Sequence, residues 1–265
     1  MAGHREETDR HEAGSAHTAD GGRPGAWEHL SPGVVRHRLP HWDATAGAVL
    51  GTRGALVVDT GSSLGEGAWI GAEIRRLSGL AVTQVVLTHP HFDHVLGTAA
   101  FTAAVTAGEV YGPAGMDLTG AREELRRDAV LHGLPPGVAD ESATASASAS
   151  ASPRHTVADS LTLTAGGRRV LLVNLGPAHS AHDLAALVRG ADGGPDVVFC
   201  GDLVEESGQP QAGPDACPSR WPAALDRLLS LGGEDAVYVP GHGAAVDARF
   251  VRAQRDVLAR RFAGS

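Results

Sequence analysis

The stretch LTHPHFDHVLG, residues 87 to 97, carries the strongest signal in this chain. It places His89, His91, Asp93 and His94 within six positions. The apolar run AVTQVVLT, which ends at Thr88, is typical of a buried strand, so the polar cluster begins where a strand ends. Polar side chains gain nothing from such a position unless a partner replaces the water they lose, and imidazole and carboxylate groups at this spacing are typical metal ligands.

Four more polar residues stand in a comparable place, after an apolar strand and close to a glycine: Asp59, His179, Asp202 and His242. Loops that leave two sheets at one edge can hold ligands from distant parts of the chain against one another on a rigid scaffold. The sequence therefore predicts that these four side chains and the histidine cluster converge on one site.

Strand and turn signals divide the chain into two similar halves. In the first half, GVVRHRLP and AGAVLGTRGALVVDTG predict hairpin-linked strands, and EVYGP predicts a further short one. In the second half, SLTLTAGGRRVLLVNLG predicts two strands joined by a Gly-Gly turn, and DLAALV, PDVVFCGD and DAVYVPGH predict three more. Such halves predict an α/β (α+β) fold, a four-layer αββα sandwich of two mixed β-sheets with helices on the outer faces.

Three helices are predicted from apolar spacing. EGAWIGAEIRRLSG places Trp69, Ile70 and Ile74 at helical intervals and closes at Gly79, and VLGTAAFTAAVTAG predicts a helix that ends at Gly108. DARFVRAQRDVLARRF predicts an amphipathic helix at the end of the chain. Its apolar face comprises Phe250, Val251, Val257, Leu258 and Phe262.

The order of these motifs closely resembles the metallo-β-lactamase-fold hydrolase superfamily. His89, His91, Asp93 and His94 match its H-x-H-x-D-H signature in full, and the resemblance extends from about Leu30 to the C-terminus. In an extended segment residues two apart face the same way, so His89 and His91 can share one metal ion. The resemblance implies that His179 completes that first site, that Asp93, His94 and His242 form a second site, and that Asp202 bridges the two.

The resemblance also implies a reaction. Two divalent ions bound to imidazole and carboxylate without thiolate indicate Zn²⁺, with iron and manganese as alternatives. A metal-bridging hydroxide would then cleave a small ester, lactone, thioester or related bond. Asp93 would orient the nucleophile or pass a proton to the leaving group, and Asp59, with Asp183, would hold ligand imidazoles in orientation.

The sequence departs from the patterns of two subfamilies. Two other functions also stay open. β-Lactamases of this fold usually have Cys or Ser where Asp202 stands, and glyoxalase II enzymes usually have Gly at His182 and further C-terminal helices. The chain therefore resembles a general hydrolase of the fold more than either of these. The alternatives are a mononuclear iron enzyme of the sulfur dioxygenase type, which uses only the first site, and a noncatalytic binding protein.

Composition also predicts how the domain is organised. Residues 1–29 are predicted to be a disordered polar leader, and residues 30–265 a single domain. Residues 113–155 form an insertion or lid, in which the polar helix MDLTGAREELRRDAVLHG is a candidate pocket wall. The Ala/Ser tract at 141–153 offers little apolar surface, so we expect it to be a passive disordered loop.

Charge and cysteine content limit the partners. The net charge is -9, and the 22 basic residues are all Arg without a basic run, which disfavours nucleic acid and anionic membranes and favours a small-molecule substrate. No secretory or membrane-spanning stretch is evident, so a cytoplasmic location with free Cys200 and Cys217 is predicted, and the oligomeric state stays open. His182 and Trp42 are candidate pocket residues. The remaining histidines are predicted to serve in packing or at the surface, and they are His37, His41, His132 and His155.

Overall fold

The computed structural model describes residues 26–102 and 109–263, and over these ranges the strands form one seven-stranded and one five-stranded sheet. The first sheet contains β1 (Glu28–Ser31), β2 (Val34–Arg38), β3 (Thr45–Leu50), β4 (Ala55–Val58), β5 (Val82–Val86), β6 (Val110–Pro113) and β7 (His155–Val157). The second contains β8 (Ser160–Ala165), β9 (Arg168–Gly176), β10 (Asp183–Val188), β11 (Val197–Glu205) and β12 (Val237–His242). The helices are α1 (Leu64–Ser78), α2 (Phe92–Val95), α3 (Ala99–Thr102), α4 (Arg122–Leu131), α5 (Pro136–Ser146), α6 (Trp221–Gly232) and α7 (Ala248–Arg261).

Both sheets are mixed. In the first, β1 to β4 pair antiparallel in chain order, and β4 to β7 pair parallel. In the second, β8 to β11 pair antiparallel, and β12 lies parallel to β11 at the edge. The predicted division of the chain into two sheets is confirmed, and the boundary falls between β7 and β8.

Alternating side chains of the central strands bury both faces of each sheet. In β4, Leu56 and Val58 point into the core between the sheets, whereas Ala55 and Val57 point into the core under α1. In β10 the same alternation separates the inter-sheet core from the core under α6 and α7. Each sheet is thus covered on both faces, and the four-layer αββα sandwich predicted from the sequence is confirmed. Strands buried on both faces read as continuous apolar runs in the sequence.

The predictions of α1 and α7 are correct in position, but the predicted apolar faces of these two helices are too broad. Helix α1 ends at Gly79, whose φ of 70° gives the left-handed C-cap. Ile70 is fully buried against the sheet, but Trp69 remains 40% exposed. In α7, Leu258 is buried and Val257 is 48% exposed. Each helix therefore buries a narrower stripe than its apolar residues suggest.

Strand structure is already present before the predicted boundary at Leu30. Residues 1–25 of the predicted leader lie outside the described residues, but Glu28 and His29 already pair with β2. The carboxylate of Glu28 accepts a 2.7 Å hydrogen bond from Nε of Arg36. An edge strand held by an ion pair carries no apolar signal, which explains the missed residues.

The Ala/Ser tract is ordered, and the prediction of a disordered loop is wrong. Its first part belongs to α5, where Ala139 and Ala143 are buried. The hydroxyl of Ser142 accepts a 3.1 Å bond from the backbone N–H of Leu64, and the hydroxyl of Ser146 donates a 2.9 Å bond to the carbonyl of Leu96. Small side chains let this helix approach α1 and α2 closely, and the serines bond to backbone there, so composition alone misled the prediction.

The segment after the histidine cluster is broken rather than one helix. Helix α2 ends at Val95 and α3 starts at Ala99, and the predicted continuation to Gly108 lies, from residue 103, outside the described residues. Gly97 separates the two helices and donates its N–H to the carbonyl of Gly61. In the described ranges no helix is long and apolar enough to cross a membrane.

Close approach of α1 to the turn after the histidine cluster gives a first prediction. A Cβ at Gly67 would lie 2.4 Å from the carbonyl oxygen of Gly97, whereas a Cβ at Gly65, on the same helix, would meet nothing nearer than 3.9 Å. We expect Gly67→Ala to lower the free energy of unfolding by about 2 kcal/mol and Gly65→Ala to leave it unchanged or raise it by up to about 1 kcal/mol.

Urea denaturation of the two variants measures this difference. Equal stabilities for Gly67→Ala and Gly65→Ala would show that α1 does not pack against the turn as described.

Candidate metal centre

The predicted site residues lie at or near the ends of strands, on one edge of the sandwich. Asp59 follows β4, and the H-x-H-x-D-H cluster follows β5 and enters α2. His179 lies in the loop between β9 and β10, while Asp202 and His242 lie in the last part of β11 and β12. Ligand candidates from both sheets therefore face each other across the edge.

The structure brings the seven candidate ligands into two adjacent sets. His89, His91, His179 and Asp202 each offer one ligand atom within 4.8 Å of the others. Asp93, His94 and His242 do the same. Residues separated by up to about 150 positions in the chain are thus within coordination range of two points in space.

Asp202 joins the two sets. Its Oδ2 lies 3.4 Å from Nε2 of His179 in the first set and 3.3 Å from Nε2 of His242 in the second, and its Oδ1 lies 3.1 Å from Nε2 of His94. Gly241 makes room for this carboxylate, because a Cβ at that position would lie 1.8 Å from Oδ1 of Asp202. The geometry suits a carboxylate that two ions share.

Asp59 supports one imidazole of each set. Its Oδ2 accepts the Nδ1 proton of His94 at 2.9 Å and the hydroxyl proton of Thr88 at 2.8 Å, and the Thr88 hydroxyl oxygen lies 2.9 Å from Nδ1 of His89. The backbone N–H of Thr88 donates to Oδ1 at 2.8 Å. These bonds direct Nε2 of both imidazoles into the site.

Protein oxygens also face the outward nitrogens of the other three imidazoles. Nδ1 of His242 lies 2.6 Å from the Trp42 carbonyl, and Nδ1 of His179 lies 3.2 Å from the Gln211 carbonyl. Nε2 of His91 lies 3.3 Å from Oδ2 of Asp215. Each ring is thereby held with its second nitrogen directed into the site.

Asp183 does not hold an imidazole as predicted. Its carboxylate accepts hydrogen bonds from the backbone N–H of Ala178 at 2.9 Å, from the backbone N–H of Ser180 at 3.1 and 3.2 Å, and from the hydroxyl of Ser180 at 2.8 Å. It therefore shapes the loop that carries His179. Burial raises the pKa of Asp183 to about 7, against the effect of these hydrogen bonds. The sequence placed it in the correct loop, but a fixed spacing cannot distinguish a bond to a side chain from one to the backbone.

Burial lowers the pKa of some imidazoles of the site, and nearby carboxylates raise the pKa of others. Burial lowers the pKa of His89 to about 4 and that of His179 to about 3, so both are neutral at pH 7. Burial also opposes the charged form of His94, but Asp202, Asp93 and Asp59 raise its pKa well above the ordinary value. Since a metal ligand must be deprotonated, cations and protons compete for nitrogens beside these carboxylates.

Sequence reasoning missed three groups of the site. Asp215 was not among the predicted site residues, and the carbonyl groups of Trp42 and Gln211 carry no side-chain signal at all. His182 lies against the segment that follows β6, because a Cβ at Gly115 would meet its Cε1 at 2.3 Å. Of these three groups, only Asp215 has a side chain that can be recognised as a candidate ligand or support in the sequence. Its 124-residue separation from His91 hides their contact.

The remaining predicted histidines fit packing or surface positions. His37 is buried, with its ring centroid 4.7 Å from that of Trp69. His155 is exposed and stacks on Tyr111. His41 and His132 are exposed as well.

Comparison with known proteins places this geometry in a family. The sequence profile of the metallo-beta-lactamase superfamily matches residues 40–242. A hydroxyacylglutathione hydrolase of Cupriavidus taiwanensis is 32% identical over 208 residues, which cover 75% of this chain and 63% of that protein. A linear primary-alkylsulfatase of a Pseudomonas species is 27% identical over 78% of this chain and 43% of its own length. The chain thus spans less than two thirds of either relative.

Solved structures agree on the fold. A metallo-beta-lactamase from Pontibacter korlensis superposes with a TM-score of 0.67 at 20% identity, covering 88% of this chain and 98% of that one. The DIM-1 metallo-beta-lactamase superposes with a TM-score of 0.66 at 16% identity, covering 89% and 97%. At these identities the likeness shows the shared fold alone.

The supporting carboxylates yield a graded prediction. Asn can adopt the left-handed backbone conformation of Asp59 (φ 59°) as Asp does. Its amide NH₂, however, would face two hydrogen-bond donors, Thr88 and His94. We expect Asp59→Asn to weaken binding of both metal ions about 10- to 100-fold, and Asp215→Asn to weaken only the ion held by His91. The exposed Asp226→Asn is the matched control.

Competition with a chromogenic chelator measures both affinities. If Asp59→Asn bound two equivalents of metal as tightly as the parent protein, the support of His89 and His94 by this carboxylate would be disproved.

Proposed function

The chain belongs to the metallo-beta-lactamase superfamily, and on this basis we propose that it is a metal-dependent hydrolase with two divalent ions, preferably zinc. The observation that carries the proposal is the convergence of two ligand sets that share Asp202. Its substrate would be a small molecule with an ester, lactone, thioester or related bond.

The residues fit a bound metal. Nε2 of His89 is buried and has no hydrogen-bond partner within the described residues, as expected for an atom that binds a cation. The donors are imidazole nitrogens and carboxylate oxygens, and the two cysteines are free, with Cys200 buried in β11. This donor set suits zinc, with iron and manganese as weaker alternatives.

We assign the ligands by set. His89, His91 and His179 would hold the first ion, and Asp93, His94 and His242 the second. Asp202 would contact both, which its distances of 3.1 to 3.4 Å to imidazoles of the two sets support. The second set supports the dinuclear proposal, and metal analysis with an oxygen-consumption assay distinguishes it from the mononuclear iron oxygenase. Retention of all seven residues favours it over a noncatalytic member.

The bound ions would lower the pKa of a water molecule to about 7 and polarise the scissile carbonyl. The chain itself positions the reactants. Oδ2 of Asp93 lies 3.3 Å from Nε2 of His242, and we assign the other oxygen of Asp93 to orient the attacking water and carry its proton to the leaving group. Asp59, through His94 and Thr88, keeps the ligand rings fixed while the charge of the site changes.

The charge of the chain and the names of its relatives support a small-molecule substrate. The net charge of -9 without Lys disfavours nucleic acid and anionic membranes. The relatives are named a hydroxyacylglutathione hydrolase and an alkylsulfatase, and both names describe cleavage of small molecules. The cytoplasmic location expected from the sequence stays a prediction.

Turnover in a panel of esters, lactones and thioesters tests the proposal. We expect His91→Ala to lower kcat/KM on any accepted substrate by about 100-fold or more, because it removes a ligand of the first ion. His155→Ala removes an exposed imidazole that stacks on Tyr111 and is the matched control.

Undiminished turnover in His91→Ala would overturn the metal mechanism. Oxygen consumption with one iron per chain, in place of hydrolysis, would support the oxygenase alternative instead.

A further inference from the structure

A bulge in β11 carries Asp202. The register of this strand against β12 is irregular there, because residues 201–205 of β11 oppose only residues 240–242 of β12. On its other side, the pairing of β11 with β10 runs from Val197 to Phe199, before the bulge begins. A bulge takes extra residues out of the regular ladder, so their backbone groups need other partners when they are buried.

Two side chains from the outer helices supply such partners. Trp221, the first residue of α6, donates its indole N–H to the carbonyl of Leu203 at 3.0 Å. Gln254 of α7 donates its amide to the same carbonyl at 2.8 Å and accepts the backbone N–H of Glu205 at 3.0 Å. These three bonds fix the backbone that directly follows Asp202.

Gln254 is a polar residue on the apolar face of α7. The residues that this helix buries are Ala248, Val251, Gln254 and Leu258. A buried carboxamide destabilises the fold unless its oxygen and its nitrogen are both hydrogen-bonded. Here the bulge supplies a partner for each, so α7 contributes to the shape of β11 as well as covering the second sheet.

Trp221 also contacts a candidate ligand. It is fully buried, and its ring meets that of His179 nearly edge to face, with centroids 5.3 Å apart at 69°. The same indole therefore touches an imidazole of the first set with its ring and holds the segment after Asp202 with its N–H.

From these contacts we propose that Trp221 and Gln254 are positioning residues that together hold the carboxylate of Asp202 between the two ligand sets. A carboxylate that two ions share must stay within reach of both, and its supporting groups determine whether it does. Because both side chains donate to one carbonyl, either can partly replace the other. The inference rests on the proposed function, and it makes the outer helices α6 and α7 part of the metal centre.

Zinc affinity measured by competition with a chromogenic chelator provides the first test. Trp221→Phe keeps a ring beside His179 but lacks the N–H, and Gln254→Met keeps a similar shape without polar atoms. We expect Trp221→Phe to weaken binding of both ions about 3-fold and Gln254→Met about 10-fold. The double variant should lose about 100-fold, more than the product of the single effects, since no donor to the Leu203 carbonyl remains.

Leu228→Val is the matched control, because Leu228 is fully buried in the same core as Trp221. We expect it to lower the urea midpoint, as the other variants do, but to change neither zinc affinity by more than about 2-fold. Equal zinc affinities in the double variant and the parent protein would overturn the proposal, as would equal losses in the double variant and Leu228→Val.

Hydrogen exchange of the metal-free protein separates the support of the bulge from the binding of metal. We expect Gln254→Met to speed exchange of the amides of residues 203–206 about 10-fold and Leu228→Val to leave this segment unchanged. Unchanged exchange in Gln254→Met would refute the proposal whether or not metal binds. Faster exchange, together with a parent protein that binds fewer than two ions, would support the anchoring of the bulge and refute the dinuclear hydrolase. Gln254→Met gives this result even if Trp221→Phe fails to fold.

Discussion

The buried carboxylate of Asp202, surrounded by imidazoles from both sheets, is the constraint on which the rest of the structure depends. A charge in that place is stable only if cations or protonated rings neutralise it and if the surrounding groups are held rigidly. The inter-sheet core supplies the rigidity, because it locks the strands that end at Asp202 to those that end at the histidine cluster. Gly241 supplies the space.

Around this centre, loops supply the groups that orient the ligand imidazoles. The loop that contains Trp42 offers a carbonyl to His242, and the loop before α6 offers Gln211 and Asp215 to the first ligand set. Segments outside the strands therefore also orient the groups that would hold the metal.

The sequence predicted those features that leave a pattern in side chains. Continuous apolar runs identified both sheets, and polar residues at their ends identified all seven residues that converge. Contacts made by backbone atoms left no such pattern, so the carbonyl groups facing His242 and His179 were missed. The Ala/Ser tract misled because small side chains resemble disorder in composition, yet they form α5 where a close neighbour accepts them. The edge strand that contains Glu28 was not predicted, because an ion pair and not an apolar pattern anchors it.

Anomalous diffraction at the zinc edge from crystals of the zinc-loaded protein tests the shared-carboxylate centre most directly. We expect two peaks, one about 2.0 to 2.2 Å from ligand atoms of His89, His91 and His179 and one equally close to those of Asp93, His94 and His242, with Asp202 in contact with both. A single peak, or two peaks that Asp202 does not join, would contradict this arrangement.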